Sequence, residues 1–221
     1  FTLRFLMHTE FLPKPYQNNV PEVVIRRLPQ YLRSLTHLLE SGAEVISSHH
    51  LGQILEVTPA QIRKDLSYFG RFGKQGRGYN IRHLLDRLRN ILGLEQTWDV
   101  AVVGVGRLGR AIINYQGFQP EGFRVVCAFD SEQKLVGEVA GGLIIQDITK
   151  IKEVLSDLSV KIAIVSVPAS GAQDVIDRLV EAGIRSILSY APIPAHVPLG
   201  VHIRSVDPVL QLQSMTYYLT D

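Results

Sequence analysis

The sequence predicts an α/β chain in two modules: an N-terminal winged helix-turn-helix, then a Rossmann-type doubly wound parallel sheet, closed by a C-terminal helix. Three observations predict it. Apolar residues recur at helical spacing up to residue 94. From Trp98 onward, short apolar runs alternate with helical stretches. At the first junction of these two patterns stands the glycine-rich turn Gly104-Val105-Gly106-Arg107-Leu108-Gly109. The expected boundaries are a flexible leader over 1–20, the winged helix-turn-helix over 21–94, the Rossmann-type sheet over 95–205 and a terminal helix within 206–221.

Composition narrows the classes. A chain of 221 residues has room for one large domain or two small ones. Its 46% hydrophobic content against 20% charged suits a packed globular protein. A single cysteine, Cys127, excludes an internal disulfide framework and fits a reducing, cytoplasmic setting. No apolar run reaches the roughly 18 residues that cross a bilayer, so no membrane association is expected. The leader holds His8, Glu10, Pro13 and Pro15 and is too polar for a signal-peptide core.

Charge is divided unequally. Residues 1–97 carry 13 Lys and Arg against 8 Asp and Glu, a net of +5, while residues 98–221 carry 10 against 13, a net of −3. The excess concentrates between Arg63 and Arg89. A solvated face would account for such a run, but a basic module joined to an acidic one is also the footprint of a nucleic-acid binder attached to something else.

In the first module, Val23, Val24, Leu28, Tyr31, Leu32, Leu35, Leu38 and Leu39 mark helix, which Pro29 is expected to break or restart and Ser41-Gly42 to end. Ser47-Ser48 can cap a helix over 49–55, and Glu56-Val57 make a turn. Thr58-Pro59-Ala60-Gln61 then reads as a helix start, with Thr58 as N-cap, Pro59 in the first turn and Gln61 reaching back as in a capping box. Two short helices joined by a tight turn form a helix-turn-helix, whose second helix enters the major groove. Residues 69–79 carry four glycines, with aromatics to anchor a hairpin base, and would present Arg71, Lys74 and Arg77 as a basic wing. Ile81, Leu84, Leu85, Leu88, Ile91 and Leu92 mark a further helix.

In the second module, residues 99–103, 124–129, 143–145, 161–165 and 186–188 read as strands of a parallel sheet, with helices at 107–115 and 173–182. Residues 207–219 read as a last helix with Pro208 in its first turn. The GxGxxG turn follows an apolar strand, opens a helix and precedes a second strand ending at Asp130, 21 residues past Gly109. Gly104 would permit the tight turn, Gly106 the approach of a pyrophosphate and Gly109 the packing of helix on strand. Asp130 would accept from the adenosine ribose and repel a 2′-phosphate, favouring NAD(H) over NADP(H). Ordinary turn glycines with Asp130 as a strand-end cap are the structural alternative. Ser166-Val167-Pro168-Ala169 and Ser189-Tyr190-Ala191-Pro192 lie at carboxyl ends of strands, where open α/β sheets bind ligands, and would wall a slot for the nicotinamide.

A dehydrogenase also needs a proton donor or acceptor. Tyr115, Tyr190, His196 and His202 are available, but no Tyr-x-x-x-Lys, metal-ligand spacing or nucleophile elbow accompanies them. His196 and His202 sit among prolines and valines as structural residues, and Cys127 lies within a strand. The dinucleotide is therefore expected as a signal and not a reagent, with no catalytic residue and no metal. Two alternatives stay open: a small NAD-dependent oxidoreductase with a basic extension, and a CoA-binding interaction module.

These residues resemble the Rex family of redox-sensing transcriptional repressors. The likeness spans 21–219 and is carried by Arg27-Leu28-Pro29 with Tyr31, by the run from Ile62 to Gly70, by Phe72 to Tyr79 and by the glycine turn. Phe129-Asp130 with Lys134, Val136 and Gly137, then Val167-Pro168-Ala169 and Leu210-Gln211-Leu212-Gln213, extend it. The resemblance implies a homodimer that grips an inverted-repeat DNA operator when NAD+ prevails and releases it when NADH rises. It implies a C-terminal helix swapped into the partner subunit, with Asp207 near the partner's nicotinamide pocket. Pro208 departs from the bulky apolar residue often found at that position. On these grounds the expected cofactor-binding residues are Gly104, Val105, Gly106, Arg107, Leu108, Gly109, Asp130, Lys134, Val167, Pro168, Tyr190 and Asp207. The expected DNA-binding residues are Arg27, Gln61, Arg63, Lys64, Ser67, Tyr68, Arg71, Lys74 and Arg77, with Ile62 and Leu66 turned to the core and Asp65 orienting a basic neighbour or capping.

Overall fold

The computed structural model describes residues 20–72 and 78–219. The expected leader, apart from Val20, and Lys74 and Arg77 of the expected wing lie outside the described residues. The chain divides into two compact units, Phe1–Glu95 and Gln96–Asp221.

The first unit opens with α1 (Glu22–Glu40), which runs through Pro29 as one helix. The expected break does not occur because Pro29 faces outward. There, solvent can take the place of the hydrogen bond that its missing N–H forfeits. At the other end the Ala43 N–H donates to Leu38 O and the Gly42 N–H to Leu39 O, satisfying two carbonyls that the helix leaves unpaired. After β1 (Val45–Ile46) comes α2 (Ser48–Leu55), whose cap Ser47 accepts from the His50 N–H at 3.0 Å. Then α3 (Pro59–Ser67) starts at Thr58, which accepts from the Gln61 N–H at 3.1 Å. The Gln61 side chain does not reach back to close a capping box; its amide donates to Asp65.

The described residues beside the expected wing form one short strand pairing. Among the described residues, β2 (Tyr79–Asn80) pairs antiparallel with β1, which precedes the helix-turn-helix, and not with residues 69–72. Phe69 and Phe72 are both buried three positions apart. Strand geometry, which alternates sides at every residue, would have sent them to opposite faces. The chain continues into α4 (Ile81–Leu92), and its Leu84 and Leu88 join Leu28, Tyr31, Leu35, Leu51, Ile62 and Leu66 in one core.

The second unit is a seven-stranded sheet of β3 (Trp98–Val103), β4 (Phe123–Asp130), β5 (Val139–Ala140), β6 (Leu143–Asp147), β7 (Ile162–Val165), β8 (Ser186–Ser189) and β9 (His202–Ser205). Their order is β5-β6-β4-β3-β7-β8-β9. All neighbouring pairs are parallel except β5 with β6. The helices are α5 (Arg107–Ile113), α6 (Ile151–Asp157), α7 (Ala169–Glu181) and α8 (Pro208–Thr216). Alternate residues of β3 serve the two faces. Ala101 and Val103 pack with Ile151, Leu155, Ile176 and Leu179 of α6 and α7. Val100 and Val102 pack with Ile112 of α5. Burial on both faces explains the unbroken apolar runs. The order reverses between β3 and β7, the place where such sheets bind ligands at their carboxyl ends. Two strands, β5 and β9, escaped sequence reading because a two-residue strand has no period and His202-Ile203-Arg204-Ser205 is mostly polar.

Leu35 has no exposed surface in the first core. Leu35→Ala is expected to cost that unit about 2–5 kcal/mol, read as a lower denaturant midpoint by circular dichroism, with cofactor binding by the second unit unchanged.

Candidate functional site

The glycine turn is shaped by three different demands. Gly104 has φ +92°, a left-handed conformation in which L side chains are strained. A Cβ there would also lie 2.6 Å from Ser166 O and 2.8 Å from Val167 Cγ1. A Cβ on Gly109 would lie 1.9 Å from Gly104 O, so α5 can approach the turn only as glycine at this position. Gly106 is different. Its φ is −68°, open to any residue, and a Cβ would meet nothing within 4 Å. Gly106, Arg107 and Leu108 are exposed, whereas Gly104, Val105 and Gly109 are buried.

Asp130, the last residue of β4, braces this turn. Its Oδ2 accepts from the Val105 N–H at 2.6 Å and its Oδ1 from the Glu132 N–H at 2.9 Å. Each carboxylate oxygen can accept a second hydrogen bond, so capacity for a hydroxyl donor remains. Ser166, which follows β7, donates through Oγ to Gly104 O at 2.8 Å, and its N–H donates to Val103 O. Sequence reading placed Ser166 in a ligand-side loop but did not single it out. A short hydroxyl at the carboxyl end of the strand beside β3 was the available signal.

The remaining expected cofactor residues are placed unequally. Val167 lies against the turn through the close approach at Gly104. Its packing is on the α6–α7 face of the sheet, whereas Tyr190 packs with Ile164 on the α5 face. The Tyr190 N–H donates to Val165 O and ties the two loops at the strand ends. Pro168 is exposed and immediately precedes α7. Lys134 pairs with Glu132 at 2.5 Å, and that hydrogen bond raises its pKa. Asp207 caps α8, accepting from the Val209 N–H at 2.9 Å, and follows β9, which stands three places from β3 in the sheet. Arg110, one turn into α5, pairs with Glu138.

In the first unit, α3 presents a polar face. Arg63, Lys64 and Ser67 are exposed, Gln61 and Tyr68 half-buried, and Ile62 and Leu66 point into the core. Arg63 Nη1 donates to Ser48 Oγ at 3.0 Å, tying α3 to α2, and Ser67 Oγ donates back to Lys64 O at 2.7 Å. Arg71 is exposed beyond α3. Asp65 and Arg27 are paired with each other. Asp65 is fully buried, and Arg27 donates to it twice, through Nε at 2.6 Å and Nη2 at 2.8 Å, so the guanidinium is engaged inside the unit. Burial works to raise the Asp65 pKa, but hydrogen bonds from Arg27, Tyr31 and Gln61 outweigh it and hold the carboxyl below its ordinary value.

Burial pushes the Cys127 thiol up to about 12, so it stays protonated at neutral pH. The His196 backbone is held at both polar atoms by the Gln173 amide, at 3.0 and 2.9 Å. Among the described residues no three His, Cys, Asp or Glu cluster to hold a metal, and no helix is long and apolar enough to cross a membrane.

Residues 95–193 match the family described as CoA binding domain, and residues 19–67 the one described as "Putative DNA-binding protein N-terminus". The chain is 54% identical over 199 residues to the redox-sensing transcriptional repressor Rex of Roseiflexus sp. (strain RS-1), covering 90% of each. Its fold matches RSP, a Rex-family repressor. Against the crystal structure of RSP in complex with beta-NAD+ and operator DNA, the TM-score is 0.86 at 38% identity, covering 92% of this chain and 94% of that one. Against RSP in complex with beta-NADH it is 0.82 at 36% identity, covering 90% and 94%. The chain belongs to the Rex family of redox-sensing transcriptional repressors.

Proposed function

We propose that this chain is a repressor that grips operator DNA through its first unit and lets go when NADH occupies the glycine turn of its second. The observation that carries the reading is Gly106. Neither backbone conformation nor packing requires glycine there. A pyrophosphate drawn against the backbone would require it, because any side chain would stand in its way. Gly104, Val105, Arg107, Leu108 and Gly109 complete that cradle. Asp130 offers its remaining acceptor sites to the adenosine ribose, and Lys134 stands at the rim. Val167, Pro168 and Tyr190 contribute to the nicotinamide side, with Asp207 supplied by a second copy.

On DNA, Arg63, Lys64, Ser67, Tyr68 and Gln61 face the major groove, and Arg71, Lys74 and Arg77 meet phosphates or the minor groove. The module boundaries are taken at 21–94, 95–205 and 206–221. A homodimer is supported by α8, none of whose residues is buried and whose Val209, Leu210, Leu212 and Met215 are each more than half exposed. Exchange of this helix between two copies would cover that surface. Two first units then meet two half-sites of an inverted repeat, so spacing between them sets operator geometry. A dinucleotide read as signal agrees with the family's named role as repressors and makes the protein a non-enzyme. A single buried thiol agrees with a cytoplasmic protein.

Redox discrimination follows from charge. The oxidised nicotinamide is a cation, and an apolar pocket penalises it through lost hydration relative to the neutral reduced ring. The cradle can shift the DNA grip only by differential affinity for gripping and released states. Operator DNA must then weaken NADH binding by the same factor.

The match to a CoA binding domain favours a second reading, CoA as the ligand. Asp130 opposes it, and displacement of bound NADH by excess CoA in a fluorescence titration would support it. Arg63→Ala or Lys64→Ala is expected to weaken binding to a duplex selected by the protein from a random pool by roughly tenfold or more, with NADH affinity unchanged. Loss of both in gel shift and fluorescence titration would contradict separate units. Gly106→Val is expected to abolish NADH binding yet keep the DNA grip, and continued release of that variant by NADH would place the ligand elsewhere.

A further inference from the structure

We infer that Arg27, Tyr31, Gln61 and Asp65 form a positioning clamp that sets the angle at which α3 meets DNA, and that Arg27 acts through Asp65 without touching DNA. The inference rests on the reading of α3 as the element that enters the groove.

The cluster joins two helices at two points each. Arg27 and Tyr31 stand one turn apart on α1, and Gln61 and Asp65 one turn apart on α3. Oδ2 of Asp65 accepts from Arg27 Nε at 2.6 Å and from the Tyr31 hydroxyl. Oδ1 accepts from Arg27 Nη2 at 2.8 Å and from Gln61 Nε2 at 2.6 Å. Each oxygen thus accepts two donors, and the four acceptor sites of the carboxylate are filled. The guanidinium and carboxylate meet as fork against fork, which fixes orientation as well as distance.

The apolar partners of α3 cannot do this. Ile62 and Leu66 hold the helix against the core by non-directional contact that tolerates small rotations. Side-chain tips at a radius of about 6 Å move by roughly 1.5 Å when a helix turns by about 15°. A displacement of that size takes a donor out of hydrogen-bond range of a base edge. Arg63 and Lys64 immediately precede Asp65 and Ser67 follows two residues later, so their directions are set by whatever fixes Asp65. A buried ion pair adds little net stability over apolar residues of equal volume. Its distinctive contribution here is geometric. The pairing also neutralises the single carboxylate of α3, which would otherwise repel phosphates.

The test uses the full-length protein, a duplex it selects from a random pool, and a scrambled duplex of equal length. The variant Arg27→Met/Tyr31→Phe/Asp65→Leu removes the clamp while preserving net charge and burying no unpaired ion. It is expected to bind NADH as the unaltered protein does and to bind scrambled DNA with the same salt dependence, yet to lose at least tenfold in preference for the selected duplex. Arg27→Lys, which keeps the charge but not the fork, is expected to lose the same preference to a lesser degree. It decides the matter if the triple variant does not fold. Unchanged preference in either folded variant overturns the inference. So does equal weakening on both duplexes with the salt slope reduced by about one, which would make Arg27 a phosphate contact. If the unaltered protein selects no duplex, or Lys64→Ala leaves binding to the selected duplex intact, the reading of α3 fails and the clamp's proposed role falls with it.

Discussion

The second unit depends on one close approach, that of α5 to the turn before it. With Gly109 almost touching the Gly104 carbonyl, helix and strand end meet at backbone contact. The same turn is held from two further sides. Asp130 accepts the Val105 N–H from the end of β4, and Ser166 donates to Gly104 from the end of β7. Three neighbouring strands therefore converge on six residues. Such convergence occurs where the strand order reverses, because there the loops from adjacent strands leave in opposite directions and open a crevice. The turn is preformed by the protein's own hydrogen bonds, which limits the ordering a ligand would have to impose.

Carboxylates carry the positioning in both units, by different physics. Asp130 is partly exposed and accepts from backbone N–H groups, so it fixes a turn while keeping acceptor sites available. Asp65 is fully buried, and with an arginine, a tyrosine and a glutamine around it no acceptor site is left for a ligand. The first arrangement suits recognition of a hydroxyl, the second suits holding two helices in one orientation. Both remove flexibility that apolar packing alone would leave.

The surface of α8 is of another kind. A helix with Leu210, Leu212 and Met215 in solvent gains nothing from its apolar residues within one chain. The proposed exchange between copies would give those side chains a partner and make the sensor a two-chain device. Coupling of cofactor to DNA would then belong to the pair of chains, since two half-sites would have to be met at once.

Sequence alone determined the class of each element wherever the signal was local. Caps at Ser47 and Thr58, the glycine turn, and the five apolar strand runs are set by residues within one turn or one strand of each other, and periodicity reports them directly. The two-residue β1, β2 and β5 and the polar β9 carried no such signal. Tertiary structure alone decided what depends on chain segments far apart. It kept α1 whole through Pro29 by placing that residue on the outer face, and it paired β2 with β1 across the helix-turn-helix. It also turned Arg27 inward to Asp65, 38 positions away. From sequence an arginine beside a basic helix reads only as a DNA contact, and its pairing with a buried carboxylate is visible only in the fold. That juxtaposition arises only when α1 and α3 pack, because burial makes pairing obligatory and no short-range pattern records it.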